Sequence, residues 1–384
     1  MLKPADQKDL IEIIAAGQPL ELIGRGTKRA MGRPVQAAET LDLSRFTGVE
    51  IYEPDELILA AGAATPLADI ERLLAQRGQQ LAFEPPDYAR LLGSAHAGTI
   101  GGALACNLSG PRRLKAGAAR DHILEVKGVT GRGDALNGGA RVVKNVTGYD
   151  LPKLMASSWG TLAALTTITF KVLPAAETEE TVVLHGLDDE TAMHAMSAAM
   201  QSSCEVAGAA HLPHTKQTIL RLEGIPVSIA YRREKLLAIL KAFGDCSTFA
   251  ETESRKIWIA IRDVHPLADG FTRAVWKLSV APMVGAGVLA AIKTQCDARG
   301  FYDWAGGLIW LDCPAEGDAG AAIVRAAVGP GHATLVRAPE ALRASIDVFH
   351  PQAAALAALA ARVKDAFDPQ HILNPGRMVR RRVV

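Results

Sequence analysis

Apolar positions in the first half of the chain come in short clusters at helix or strand spacing, separated by glycine-rich gaps. Residues 4–17 predict a helix: Pro4 stands near its start, Leu10, Ile11, Ile13 and Ile14 form the apolar stripe, and Gly17 ends it. Leu20–Ile23 predicts a short strand running into the loop Gly24-Arg-Gly-Thr-Lys-Arg-Ala-Met-Gly32. Residues 57–61 predict a second strand, and 65–76 a helix with Leu67, Ile70, Leu73 and Leu74 on one face. Glu84-Pro-Pro-Asp87 must be loop, because proline lacks the N–H that a helix interior or central strand needs. Ile123–Thr130 alternates as a strand, Gly131-Arg-Gly-Asp134 turns, and residues 141–144 are expected to return. A short helix after Asp150 precedes a strand over 161–172, rich in β-branched residues.

From Thr181 onward the alternation lengthens. Strands are expected at 217–222, 256–261, 274–280, 307–311 and 333–337. Helices are expected at 189–200, 232–242, 283–296, 319–327 and 352–367. Strands interleaved with helices predict a split βαβ, ferredoxin-like sheet covered on one face. The charged stretch 174–180, without large apolar side chains, is the expected linker. No internal repeat is visible. These patterns divide the chain into a first domain over 1–175, a second over 181–350, and a segment 351–384 that returns to the first.

Composition narrows the class. With 49% hydrophobic and 22% charged residues the chain is globular, and its net charge of +1 gives no electrostatic case for nucleic acid. The basic tail Arg377, Arg380, Arg381, Arg382 reads as a solvated terminus; a docking patch for a partner or anionic lipid is the sharper alternative. Neither a secretory signal nor a transmembrane segment is predicted. Five scattered cysteines without a C-x-x-C predict no zinc site, no iron–sulfur site and no disulfide framework, hence a soluble protein of a reducing compartment, the cytoplasm.

Three glycine-rich segments carry the candidate chemistry: Gly24 to Gly32, Gly98-Thr-Ile-Gly-Gly-Ala-Leu-Ala-Cys-Asn-Leu-Ser-Gly-Pro-Arg-Arg113, and Val142-Val-Lys-Asn-Val-Thr-Gly-Tyr-Asp150. Glycine permits positive φ and removes the side chain that blocks close approach, and successive backbone N–H groups then form an anion site suited to a pyrophosphate. No G-x-G-x-x-G follows a strand and no Walker A sequence occurs, so a nicotinamide Rossmann domain and a P-loop are disfavoured. The close pair His211-Leu-Pro-His214 has no carboxylate in its immediate sequence, and no metal site is predicted.

On these residues the chain resembles the vanillyl-alcohol-oxidase, or PCMH-type, FAD-binding family. Gly24-Arg-Gly-Thr-Lys…Gly32 looks like that family's pyrophosphate loop. The Gly98 to Arg113 run followed by Asp121 resembles its second flavin segment, and Lys144-Asn-Val-Thr-Gly-Tyr-Asp150…Gly160-Thr-Leu162 its third. Asn374-Pro-Gly-Arg377 is similar to the C-terminal signature of the branch that oxidises 2-hydroxy acids. Chain length and the wording of 144–150 look most like the smaller FAD-binding subunits of bacterial glycolate oxidases.

The resemblance implies an α+β fold: a PCMH-type FAD-binding domain of two α/β lobes plus a ferredoxin-like α+β cap domain. It implies FAD, bound non-covalently because the first loop has no histidine. It implies a complex with a larger catalytic flavoprotein subunit and an iron–sulfur subunit, a small 2-hydroxy acid as substrate, and peripheral attachment to the inner membrane through that complex. The implied cofactor residues are Gly24, Arg25, Gly26, Thr27, Lys28 and Gly32, and Gly98, Thr99, Ile100, Gly101 and Gly102 around the diphosphate. Asn107, Ser109, Gly110, Arg113, Lys144, Asn145, Thr147, Gly148, Tyr149 and Asp150 complete the set. Plainer readings stand beside these: Lys28 or Arg25 as solvated charges, Asn107 and Ser109 as turn caps, Lys144 in a surface ion pair, Tyr149 with Asp150 as packing residue and helix cap.

Two departures stand out. The family's Gly-Ser-x-Gly reads Ser157-Ser-Trp-Gly160 here, and the H-x-G-D-G-N…H stretch of the larger catalytic relatives is missing. Isolated Arg262, His265, Arg273 and His332 form no recognisable constellation, so no catalytic residue is assigned. The expected function is that of an FAD-binding subunit of a glycolate oxidase complex. The alternatives are a stand-alone FAD-dependent D-2-hydroxy-acid (D-lactate) dehydrogenase, or a non-catalytic scaffold with a flavin fold.

Overall fold

The computed structural model describes residues 1–141 and 149–380. The chain divides into two compact units, one of Met1–Ser109, Gly117–Ala175 and Pro351–Val384, the other of Gly110–Ala116 and Ala176–His350.

In the first unit, α1 (Gln7–Ala15) starts at Asp6, whose carboxylate accepts from the amides of Lys8 and Asp9. Leu10 and Ile14 of α1 pack on the parallel pair β1 (Leu20–Ile23) and β2 (Glu39–Asp42). The main sheet is built from β3 (Val49–Glu53), β4 (Ile58–Gly62), β6 (Ile123–Thr130), β7 (Ala135–Gly139) and β8 (Ala163–Lys171), in the order β3-β4-β8-β6-β7 and antiparallel throughout. β5 (Gln79–Gln80) and β9 (Leu173–Pro174) form a separate short pair. β8 is buried everywhere except Lys171, as a central strand covered on both faces must be. α2 (Leu67–Ala75) and the short helices α3 (Ala89–Leu92), α4 (Ile100–Ala105), α6 (Ala119–His122) and α7 (Leu151–Met155) belong to this unit, whereas α5 (Arg113–Ala116), between α4 and α6 in sequence, belongs to the second. Ile70 and Leu74 of α2, with Ile100 and Leu104 of α4, share a core with Leu59, Ile168 and Phe170 of the sheet.

The strand returning from β6 is β7, which ends before Arg141. Gly133, at φ +80°, turns the chain so tightly that Ala135 already pairs with Val129. Residues 142–144 lie outside the described residues.

The second unit contains β10 (Thr178–His185), α8 (Asp189–Gln201), β11 (Gly208–Leu212), β12 (Gln217–Gly224), α9 (Pro226–Leu240), β13 (Cys246–Phe249), α10 (Glu251–Arg262) and β14 (Arg273–Ser279). It continues through α11 (Gly285–Lys293), β15 (Arg299–Asp303), β16 (Leu308–Pro314), α12 (Ala321–Val328), β17 (His332–Arg337) and α13 (Glu340–Ser345). Its eight strands run β13-β10-β12-β11-β15-β16-β14-β17, every pairing antiparallel. Numbered within each half, this is 4-1-3-2 followed by 2-3-1-4. The βαββαβ ferredoxin-like unit therefore occurs twice, the two copies meeting at His211 opposite Tyr302. The sequence shows no repeat because the duplication survives in element order and strand pairing, not in side-chain identity. Helices α8, α9, α11 and α12 cover one face through Met196, Leu236, Leu289 and Val324.

One expectation about this unit fails and another holds only in part. Residues 256–261 are part of α10, where Ser254, Trp258 and Ile261 are buried at helical spacing, while Ile257 and Ile259 flank that stripe. The expected linker 174–180 contains the boundary between the units, Ala175 to Ala176, but β10 already starts at Thr178. Glu179 is buried, accepting from Ser254 Oγ at 2.7 Å, and Arg112 Nη2 lies 2.6 Å from Glu223 beside it. Burial pushes the Glu179 carboxyl up, against the pull of Arg221. Charge that reads as solvent-facing in sequence is here paired inside.

After His350 the chain returns to the first unit through α14 (Ala354–Phe367), whose Val363 and Phe367 pack against that unit's core. Asp368, fully buried, accepts from the amides of Ile372 (3.1 Å) and Leu373 (2.9 Å) and pairs with Lys364. Leu20 N–H then donates to Ile372 O at 2.8 Å, and Asn374 N–H to Leu20 O at 2.9 Å, so the tail runs as a parallel neighbour of β1. Replacing Asp368 with alanine takes the carboxylate from the Lys364 ammonium and the acceptor from two buried amides. It should destabilise the first unit by about 3–5 kcal/mol, seen as a lower denaturant midpoint by circular dichroism of the full chain.

Candidate functional site

The glycine loop after β1 and the closing segment of the chain face one open cleft in the first unit. Gly24 to Arg29 form one wall, and Thr99, Gly101 and Gly102 the floor. Ser158, Trp159 and Gly160 with Asn374 and Arg377 complete it.

Among the described residues, the backbone N–H groups of Gly24, Arg25, Gly26, Thr27 and Lys28 have no protein acceptor. Five successive open donors, with Gly26 at φ +69°, are an arrangement that suits an anion. Arg25 is exposed. The side chain of Lys28 lies across the floor: its Nζ is 2.9 Å from where a Cβ on Gly98 would be, and 3.3 Å from one on Gly102. Nζ has no hydrogen-bond partner among the described residues, and burial pushes the ammonium below its ordinary pKa, with Cys106 and Asp87 pulling the other way.

The second glycine segment acts differently from expectation. The amide of Ile100 donates to Thr65 O (3.0 Å), that of Gly101 to Ala63 O (2.8 Å) and that of Gly102 to Thr99 Oγ1 (3.2 Å). These three N–H groups are spent on the helix cap and on the join to the sheet, and cannot also cradle a phosphate. Gly101 is glycine because a Cβ would stand 2.6 Å from Ala63 O; Gly98 and Gly102 are glycine to admit Lys28. Ile100 is a core residue.

Further along, Asn107 Oδ1 accepts from Arg120 N–H (3.0 Å) and Ser109 Oγ from Ala119 N–H (2.9 Å), so both side chains secure the start of α6. Gly110 and Arg113 belong to the second unit: Gly110 O accepts from Trp304 Nε1 at 3.0 Å, and the Arg113 guanidinium lies 4.4 Å from the Trp304 ring centroid. Tyr149 is 90% exposed and Asp150 caps α7. Lys144, Asn145, Thr147 and Gly148 lie outside the described residues.

Sequence reading took Asn374-Pro-Gly-Arg377 only as a signature, yet it shapes the site. Asn374, at φ +44°, accepts from Leu22 N–H (2.8 Å) and donates to Trp159 O (2.8 Å). Arg377 donates to Met31 O (2.7 Å) and Arg29 O (3.3 Å) and reaches Glu21 at 3.3 Å. Burial raises the Glu21 carboxyl pKa, but Arg29 and Arg377 outweigh it and hold the group below its ordinary range. A Cβ on Gly32 would meet Arg377 Cδ at 2.8 Å, and one on Gly160 would meet Asn374 Nδ2 at 2.8 Å. Those two glycines were the available signal: each marks where the tail presses on the loops.

The polar candidates of the second half do not converge. Arg262 pairs with Asp263, Arg273 with Asp312 and Asp297, and His332 stands edge-on to His350. Among the described residues no three histidine, cysteine or acidic side chains gather as a metal site, and no helix is long and apolar enough to cross a membrane.

A family model described as FAD binding domain matches residues 1–139. The solved structure of an alkyldihydroxyacetonephosphate synthase shares the fold with a TM-score of 0.68 at 14% identity, covering 97% of this chain and 76% of that one. Family model and fold thus define a protein with a PCMH-type FAD-binding domain. Over 370 residues the chain is 32% identical to glycolate oxidase subunit GlcE of Escherichia coli (strain K12), covering 96% of this chain and 94% of that protein. It belongs to that family. It is also 28% identical over 179 residues to a D-lactate dehydrogenase of Archaeoglobus fulgidus (45% of this chain, 38% of that protein). With glycolate oxidase subunit GlcD of Bacillus subtilis (strain 168) it shares 31% identity over 189 residues (47% and 38%).

Substituting Asn374 with alanine removes both loop bonds. It should lower the unfolding free energy by about 2 kcal/mol and speed loss of FAD, measured by thermal denaturation and by flavin retained through gel filtration.

Proposed function

We propose that this chain is the FAD-binding subunit of a glycolate oxidase, a 2-hydroxy-acid dehydrogenase complex that converts glycolate to glyoxylate. The end-to-end correspondence with GlcE carries this reading, and the open anion site at Gly24 to Lys28 supports it. Those five amides and the Lys28 ammonium would hold the FAD diphosphate. The absence of histidine from Gly24 to Gly32 favours non-covalent binding. Ala63, Ala64, Ala105 and Ala163 line the cleft with small side chains, leaving room for flat rings. When bound, FAD supplies the two-electron acceptor for oxidation of the substrate C–H bond.

Substrate oxidation also needs a cation for the carboxylate and a base for the hydroxyl proton. Arg262 and Arg273 are already committed to carboxylates of this chain, so we assign that step to the assembled complex. Its partners would be a larger catalytic flavoprotein subunit and an iron–sulfur subunit, with peripheral attachment to the inner membrane through the assembly.

The full chain purified alone should carry FAD whose visible absorption survives anaerobic glycolate or D-lactate, while glycolate bleaches the co-purified complex. Bleaching of the isolated chain would favour the stand-alone dehydrogenase instead, and colourless chain that cannot be reconstituted would favour the scaffold.

Lys28→Met should weaken FAD binding roughly 10–100-fold, the loss of one charge-assisted contact. A bound diphosphate raises the Lys28 pKa above its value in the free protein. Wild-type affinity should therefore be full below the free-protein pKa and fall as pH rises from there towards the raised pKa of the bound state, whereas the methionine variant stays flat by isothermal titration.

A further inference from the structure

The five cysteines are dispersed in sequence, but the second unit brings Cys296 and Cys313 together. Cys296 follows α11, its amide bonded back to Ile292 O at 3.0 Å, and Cys313 lies near the end of β16. The two sulfurs are near neighbours beside the turn at Gly320. Both sulfurs lie within 3.8 Å of the point a Cβ on Gly320 would occupy. Gly320, at φ +69°, closes the turn into α12 over the pair with no side chain of its own.

The environments of the two thiols differ. Cys313 is fully buried and donates to Ala319 O at 3.1 Å, the carbonyl that also accepts from Trp276 Nε1 at 3.0 Å. Burial and the neighbouring Cys296 push its pKa up to about 12, so it rests as a thiol. Cys296 is only half-buried. One partly exposed cysteine against one buried cysteine is the arrangement of an attacking and a resolving pair.

We propose that Cys296 and Cys313 form a modification site, a dithiol that a small hydroperoxide oxidises to an intramolecular disulfide. Cys296, having released its proton, attacks a peroxide oxygen; an S–O bond forms, the O–O bond breaks, and the departing oxygen takes up a proton as water or alcohol. Cys313 sulfur then attacks the sulfenic sulfur; the S–S bond forms, the S–O bond breaks, and hydroxide leaves with the Cys313 proton as water. In sum the two thiols lose two electrons and two protons, and the hydroperoxide is reduced. An external dithiol reverses the step.

The test uses the full chain with its flavin, treated with hydrogen peroxide, then unfolded, alkylated and mapped by mass spectrometry. Two of the five thiols should disappear, one cross-linked peptide should carry Cys296 and Cys313, and dithiothreitol should restore both. Cys313→Ser should stop at a Cys296 sulfenic acid that dimedone traps, and Cys296→Ser should keep every remaining thiol. Should the buried serine prevent folding, the wild-type map and Cys296→Ser decide alone. Five alkylatable thiols after peroxide, over-oxidised Cys296 beside an intact Cys313, or a disulfide to any other cysteine would overturn the proposal.

Discussion

The loop from Gly24 to Gly32 can present five open amides only because groups from the far end of the chain hold it in that shape. A glycine-rich loop with unpaired donors has no internal reason to keep one conformation, since its backbone entropy is high and none of those donors contributes to folding. The restraint comes from Asn374 and Arg377, which take Leu22, Arg29 and Met31 by their main-chain groups. Those two residues are in turn placed by the buried Asp368, which turns the chain after α14 and sets 372–374 alongside β1. Gly131 completes the clasp, for a Cβ there would stand 2.3 Å from Asp368 Oδ1. Site and tail are therefore one construction, and the Asn-Pro-Gly-Arg wording belongs to the loop as much as to the terminus.

The second unit solves a different problem. Two βαββαβ modules joined edge to edge expose a broad sheet face opposite their four helices. On that side α10 packs on the first module, with Trp258 Nε1 donating to Thr181 Oγ1 at 2.8 Å and the Arg221 guanidinium lying 4.6 Å from the Trp258 ring centroid. Arg112 supplies positive charge beside Glu179 and Glu223, which without it would be costly to bury. The segment from Gly110 to Ala116 thus completes the second unit although its sequence continues a flavin-type glycine run. This explains why Arg113, read as a cofactor ligand, stacks on Trp304 instead.

Much of the fold was legible because periodicity and punctuation agree. β1, α2, β6, β8 and the helices α8, α9, α12 and α14 overlap their expected positions, each with a consistent apolar spacing and a glycine, proline or polar cap nearby. The miss at 256–261 and the unforeseen burial of Glu179 share a cause. Both stretches were judged on residue type alone, but Trp258 is placed by Thr181 of β10 and Glu179 by Ser254 of α10, partners that no local window contains. The same holds for the site: glycine content located the cleft, but which amides stay open depended on Thr65 and Ala63 capturing those of Ile100 and Gly101.

The sequence by itself pointed to the class of ligand and determined the general plan: glycine-rich loops, no Rossmann fingerprint, and alternating elements that make a sheet with helices on it. Those properties are local, since φ preferences, apolar period and loop composition are carried by neighbouring residues. Tertiary structure alone decided how each group is used. It spent the amides of the second segment on packing and left those of the first open. It laid Lys28 across two glycines, doubled the ferredoxin-like module, and set Cys296 beside Cys313. Hydrogen-bond satisfaction and close packing act between residues far apart in the chain, and only the folded backbone brings their terms together.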